Sequence, residues 1–364
     1  MMTRYTYRRI WGSLLGVGLL LMLAACSDDP ETEQLQGGQV RLLSVTRDGS
    51  EPADVVENDI KLFIMTVNQM YNSGTFSYRD SKWLNNGLAV KENTQYYMYG
   101  YMPAKLGDSE ISCNISATDQ DNPDYSKGAD LKFTDLPVFT DQDICVTVGV
   151  RRVTGDTDEN WNKSADVGEY NYLSGISSEN YLNLFMDHLY AGLELSFKVD
   201  AAYAELRNIH LKEVKLTSTY SPAINATVSL RKGLGLTGHV VFNSPAEGTA
   251  QFNTLYQYDT AKEEKSYLNT TLPQTLNPVY CAPCIFGRKE GSTDTYLSIT
   301  SKYDVYDRKG NPIRMGCTAT NRLDLQGMNP GVYRKLTLIV KPTYLYMLSE
   351  PDLDNPTLEV KSGE

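Results

Sequence analysis

Apolar and polar residues alternate with a period of two over much of the chain. Leu193, Leu195, Phe197 and Val199 fall on one side of residues 193–200, with Glu194, Ser196, Lys198 and Asp200 on the other, which is the pattern of a half-buried β-strand. Ile144, Val146, Val148 and Val150 repeat it, and Tyr97, Tyr99 and Tyr101 do so beside Met98 and Met102. Over 209–216 the apolar phase moves from Ile209 and Leu211 to Val214 and Leu216, which predicts a bulge near Lys212. Further strands are predicted over 60–67, 226–230, 240–243, 296–300 and 336–340, with a turn at 307–312 and a short helical stretch at 201–206. Short β-rich segments separated by turns predict an all-β chain of antiparallel β-sandwiches. The stretch 156–180, rich in Asp, Asn, Ser and Gly, marks a break near residue 178.

The amino terminus departs from this pattern. Arg4, Arg8 and Arg9 precede an apolar run over 10–23, too short for a permanent membrane helix, which ends in Leu23-Ala24-Ala25-Cys26. This resembles a bacterial lipobox, in which the Cys26 thiol accepts a lipid before cleavage; several acyl chains on Cys26 suffice for stable anchoring in a membrane. Ser27-Asp28-Asp29 resembles an acidic signal for display at the cell surface, and the polar run to Gly37-Gly38 reads as a flexible spacer. The chain of 364 residues therefore divides into a lipoprotein signal peptide (1–25), an acidic tether (26–39) and two β-domains, 40–178 and 179–364.

Charge and composition narrow the chemistry. The net charge is −11 and becomes −14 once residues 1–25, with three Arg and no acid, are removed. With no basic patch to neutralise phosphates, nucleic acid is not an expected partner. After Cys26 the cysteines are Cys113, Cys145, Cys281, Cys284 and Cys317, an odd number that rules out a full disulfide framework while leaving single disulfides open. Cys281-Ala282-Pro283-Cys284 has redox or zinc-knuckle spacing, but no second Cys pair or spaced His pair accompanies it, and structural thiols are expected. Residues 233–238 match Gly-x-Gly-x-x-Gly, yet His239-Val240-Val241-Phe242 continues as a strand where a dinucleotide site needs a helix. Asp156 and Asp158 open like a calcium loop that Trp161 and Val167 then break, and Asp119 and Asp121 fail at Pro123. With three His and no Gly-x-Ser-x-Gly elbow, a nucleophilic triad has little material. No catalytic residue, metal or cofactor is expected.

The lipobox, Ser27-Asp28-Asp29, Thr46-Arg47, the run Tyr96-Tyr97-Met98-Tyr99-Gly100-Tyr101-Met102-Pro103 and Leu184-Phe185-Met186-Asp187-His188-Leu189 together resemble the fimbrillin family of Bacteroidales, whose members are lipoprotein precursors of pilus subunits. The resemblance implies two tandem transthyretin-like β-sandwiches and trimming by an arginine-specific protease, which releases the lipid together with the first strand. On this sequence the scissile bond follows Arg47 and the departing strand is about 40–45; Asp48, an acid just past the cut, departs from the family pattern.

Losing a strand leaves unpaired backbone groups beside an open apolar groove, and a strand from another subunit restores both. Repeated head to tail, the contact builds a fibre. The candidate donor is the carboxyl-terminal segment, with Tyr344, Tyr346 and Leu348 on one face, although Pro351 and Pro356 interrupt a continuous strand and equally suit a tail packed on its own domain. The expected role is a non-enzymatic shaft or tip subunit of a surface fimbria whose partners are other pilus subunits, the protease and, before trimming, the outer membrane. The competing reading is a monomeric surface lipoprotein that binds glycans.

Overall fold

The computed structural model describes residues 41–47, 58–80, 82–85, 88–91, 96–152, 181–231, 239–243, 251–262, 264–289, 291, 293–344 and 351–362. Cys26, the tether, the 156–180 stretch, the 233–238 glycines, Tyr346 and Leu348 lie outside the described residues. The described chain is all-β, with strands in four sheets, one two-stranded ribbon and one short helix.

The first sheet has seven strands in the order β1 (Arg41–Arg47), β12 (Tyr181–His188), β11 (Cys145–Arg152), β5 (Tyr97–Met102), β2 (Ile60–Met65), β3 (Met70–Arg79) and β4 (Lys82–Asn85). The second runs β10 (Phe139–Thr140), β19 (Val279–Cys281), β13 (Ala191–Val199), β22 (Tyr333–Tyr344) and β23 (Pro351–Ser362), with β18 (Gln274–Thr275) also on β13. The third is β17 (Gln251–Gln257), β14 (Asn208–Ser218), β20 (Leu297–Tyr306) and β21 (Pro312–Arg322). The fourth is β16 (Val240–Asn243), β15 (Ala223–Arg231), β9 (Gly128–Pro137) and β8 (Ser112–Ala117), and the ribbon pairs β6 (Lys105–Leu106) with β7 (Ser109–Glu110).

Local chemistry accounts for these elements. In β13 the four expected inward residues, Leu193, Leu195, Phe197 and Val199, are buried, and the polar residues between them are half-buried. The predicted bulge in β14 is present: the register with β20 slips between Leu211 and Glu213, so Lys212 is the extra residue and the buried face passes from Ile209 and Leu211 to Val214 and Leu216. The helix α1 (Ala201–Leu206) starts at Asp200, whose carboxylate accepts from the amides of Ala202 at 3.1 Å and Tyr203 at 3.2 Å. The turn after β20 is tied by Asp307, which accepts from the amides of Lys309 and Asn311, both at 2.8 Å, and Gly310 supplies its positive φ of 86°.

Two strand pairings join residues on either side of position 178. β12 follows that point in sequence yet extends the first sheet by pairing with β11, and β15 pairs with β9. The reason is continuity of apolar surface: Ala129, Leu131, Phe133 and Leu136 of β9 and Ile224, Ala226, Val228 and Leu230 of β15 are all buried on one face, which either strand alone would leave half covered. After His188 the chain crosses through Leu189 and Tyr190 into β13, so residues 185–199 form two strands in two different sheets.

Among the described residues there are two cores. The larger one gathers buried residues of all four sheets. The smaller one lies against the other face of the first sheet and holds Ile60, Leu62, Ile64, Phe76, Met98 and Leu184 among its members. β5 is buried on both faces, sending Tyr97, Tyr99 and Tyr101 to the larger core and Met98 and Met102 to the smaller.

Candidate functional site

β1 stands at the end of the first sheet and pairs in parallel with β12, while the rest of that sheet is antiparallel. The register runs from Arg41 opposite Tyr181 to Arg47 opposite Met186, with a slip between Leu42 and Ser44. β1 thus contains the whole expected departing segment from residue 41 on and ends at Arg47. Its backbone also approaches β4, at the far end of the same sheet, so the sheet curls around the smaller core. Leu184 and Met186 of β12, the strand that β1 covers, contribute buried side chains to that core. On the opposite side Trp83 of β4 packs partly buried against it, its ring 5.2 Å from that of Tyr78. β1 therefore covers the edge of a strand whose Leu184 and Met186 line the smaller core.

The carboxyl-terminal segment occupies a second sheet edge. β23 pairs antiparallel with β22 from Leu336 opposite Ser362 to Tyr344 opposite Pro351, and the two prolines Pro342 and Pro356 face each other next to a register slip. An edge strand accommodates proline because its outer side donates no ladder hydrogen bond. Leu358 is buried, and its carbonyl accepts from the side-chain amide of Asn321 at 2.8 Å. Of the three expected donor residues, Tyr344 is the last residue of β22; Tyr346 and Leu348 fall in 345–350, outside the description.

The structure also assembles a group that sequence reading missed. Cys145 opens β11, with Asp143 two residues before it in the chain, and Cys145 is the direct cross-strand partner of His188 in β12. The Asp143 Oδ2 is 2.5 Å and the Cys145 Sγ 3.6 Å from His188 Nδ1. Both contacts meet the same ring nitrogen, whereas a catalytic Cys-His-Asp arrangement uses one nitrogen for each partner. Only the register of β11 on β12 joins residues 43 and 45 positions apart, so no spacing motif announced them.

The five cysteines of the body form no disulfide. Burial pushes the Cys113 and Cys284 thiols up to about 12 and the Cys281 thiol upward as well, so the Cys281–Cys284 pair is protonated and inert at neutral pH. Cys281 closes β19 and Cys284 sits in the 3-10 turn Pro283–Phe286, packed against the larger core as structural thiols. Asp119, the start of a failed calcium pattern, accepts from the amides of Asp121 at 3.0 Å and Asn122 at 3.1 Å, an ordinary Asx turn. His210 is buried with its Nδ1 2.6 Å from the Ser266 carbonyl oxygen.

No family model matches the sequence, and no curated protein matches it. Solved structures do resemble the chain. A fimbrial protein from Bacteroides vulgatus is similar at 12% identity and a TM-score of 0.46, covering 90% of this chain and 99% of that one. The fimbrial anchor protein Mfa2 from Porphyromonas gingivalis is similar at 10% identity and a TM-score of 0.32, covering 89% of this chain and 96% of that one.

Proposed function

We propose that this chain is a non-enzymatic structural subunit of a surface fimbria, exported as a lipoprotein on Cys26 and matured by an arginine-specific protease that cuts after Arg47. The observation that carries the reading is the placement of β1: an edge strand that ends at Arg47 and covers the edge of β12, which lines the smaller core. A cut at that bond severs β1 from the body without touching any other described strand. Its departure leaves the outer backbone groups of residues 181–186 unpaired and uncovers the edge of the strand whose Leu184 and Met186 line the smaller core.

The vacancy is filled by a strand from a second subunit, whose alternate side chains replace those of β1; each apolar side chain fully buried contributes roughly 1.5–3 kcal/mol. The candidate donor remains the carboxyl-terminal segment with Tyr344, Tyr346 and Leu348. The pairing of β23 on β22 competes with donation: a shaft subunit must release β23 from β22, and a tip subunit keeps it. The cell surface is the site of assembly, and the outer membrane holds the precursor until trimming.

The test is to treat purified precursor with an arginine-specific protease and run the product unboiled. A ladder of multimers built on chains that begin at Asp48 supports a shaft subunit, and capture of a single trimmed chain by a fimbrial extract supports a tip. Trimmed chains that stay monomeric and enter no fibre overturn the proposal.

A further inference from the structure

Asp143, Cys145 and His188 present one carboxylate, one thiol and one imidazole nitrogen, all within 4.8 Å of one another. We propose that these three side chains form a zinc site, with Asp143 Oδ2, Cys145 Sγ and His188 Nδ1 as ligands and solvent at the fourth vertex.

Three observations lead to it. The first is spacing. Tetrahedral zinc with bonds of about 2.3 Å to sulfur and 2.0 Å to nitrogen sets those two ligands roughly 3.5 Å apart, and Cys145 Sγ and His188 Nδ1 are 3.6 Å apart. The Asp143–His188 separation of 2.5 Å is shorter than a ligand-to-ligand edge, because in the metal-free protein these two atoms are hydrogen-bonded to each other. Opening that pair by less than about 1 Å brings it to the length of a tetrahedral edge.

The second is chemistry. A thiolate with an imidazole and a carboxylate is a borderline-soft donor set that suits zinc and disfavours magnesium and calcium, which take oxygen ligands. Asp143 and Cys145 are buried, with 5% and 0% exposure, while the His188 side chain is 18% exposed, so the ion has an approach from one side.

The third is rigidity. Cys145 and His188 are paired residues of adjacent strands, and the Leu189 amide donates to the Ile144 carbonyl at 2.7 Å, so the ligands stand on a fixed ladder. Above His188 the chain passes at Gly331, whose φ of 77° requires glycine and whose amide donates to the Tyr190 carbonyl at 3.0 Å.

Binding balances simply. The Cys145 thiol gives its proton to solvent, and the proton between His188 Nδ1 and Asp143 moves to His188 Nε2, leaving Nδ1 free to coordinate. The ion then clamps β11 to β12 two residues beyond Met186, where the stretch that β1 covers ends.

The experiment titrates the metal-free full-length chain with Co(II), a coloured surrogate, and with Zn(II) by calorimetry. The expected result is a thiolate-to-Co(II) charge-transfer band in the near ultraviolet at one equivalent, bleached by Zn(II), with zinc raising the thermal midpoint. Cys145→Ser removes the band, His188→Gln and Asp143→Asn weaken Zn(II) binding by roughly tenfold or more, and Cys113→Ser leaves both intact. No charge-transfer band in the wild-type chain, which needs no variant to fold, overturns the proposal. A band that persists in a folded Cys145→Ser chain overturns it equally.

Discussion

Arg47, the last residue of β1, is paired with Met186 of β12, whose side chain is 1% exposed in the smaller core. The residue that a basic-specific protease would recognise and the residue that its action would uncover are thus register partners. Arg47→Ala is expected to abolish cleavage between residues 47 and 48 while leaving the fold unchanged. Intact-mass analysis after limited proteolysis checks this, and a variant that still yields a chain beginning at Asp48 would show that Arg47 does not direct the cut.

The smaller core is expected to hold the first sheet together whether or not β1 is present. Leu62 is fully buried there, between β3 and β5. Leu62→Ala should cost about 2–5 kcal/mol. By contrast Val241→Ala, on an edge strand with 58% exposure, should stay within about 0.5 kcal/mol. Denaturant midpoints of the two variants make the comparison, and equal shifts would contradict the assignment of a separate core.

His210 is expected to give the third sheet a pH dependence. It lies opposite Asp304 on β20, its ring meets Tyr258 edge-on at 4.4 Å, and its Nε2 has no hydrogen-bond partner among the described residues. Burial holds its pKa below the ordinary value; the Ser266 carbonyl and Asp304 act upward, and Lys212 and Lys265 act downward. A base with a depressed folded-state pKa binds its proton more readily when unfolded. Its contribution is therefore complete above about pH 6.5 and is lost as the pH falls from there toward the folded value. The difference in stability between wild type and His210→Phe should shrink on acidification through that window; a constant difference from pH 7.5 to 5 would refute the assignment.

Period-two patterning was enough to place β13, β5 and β14, including the bulge at Lys212, because each of these strands buries one face or both, and burial writes itself into the local sequence. Partnership between strands is written less locally. Nothing in residues 181–199 distinguishes one long strand from two that part at Leu189 and Tyr190 into different sheets, since both halves are equally apolar. The same limit hid the Asp143–Cys145–His188 group, which exists only through the register of β11 on β12. Conversely, Arg47 and the carboxyl-terminal prolines were visible as residues, while their meaning depended on finding β1 at a sheet edge and β23 folded back on β22.

Assembled copies are expected to have exchanged β1 for a strand from a neighbour. Mass spectrometry of the amino termini of subunits in purified surface fibres tests it most directly. The expected result is chains that begin at Asp48 and lack residues 41–47. Fibres in which every copy retains β1 behind a lipidated Cys26 would contradict it.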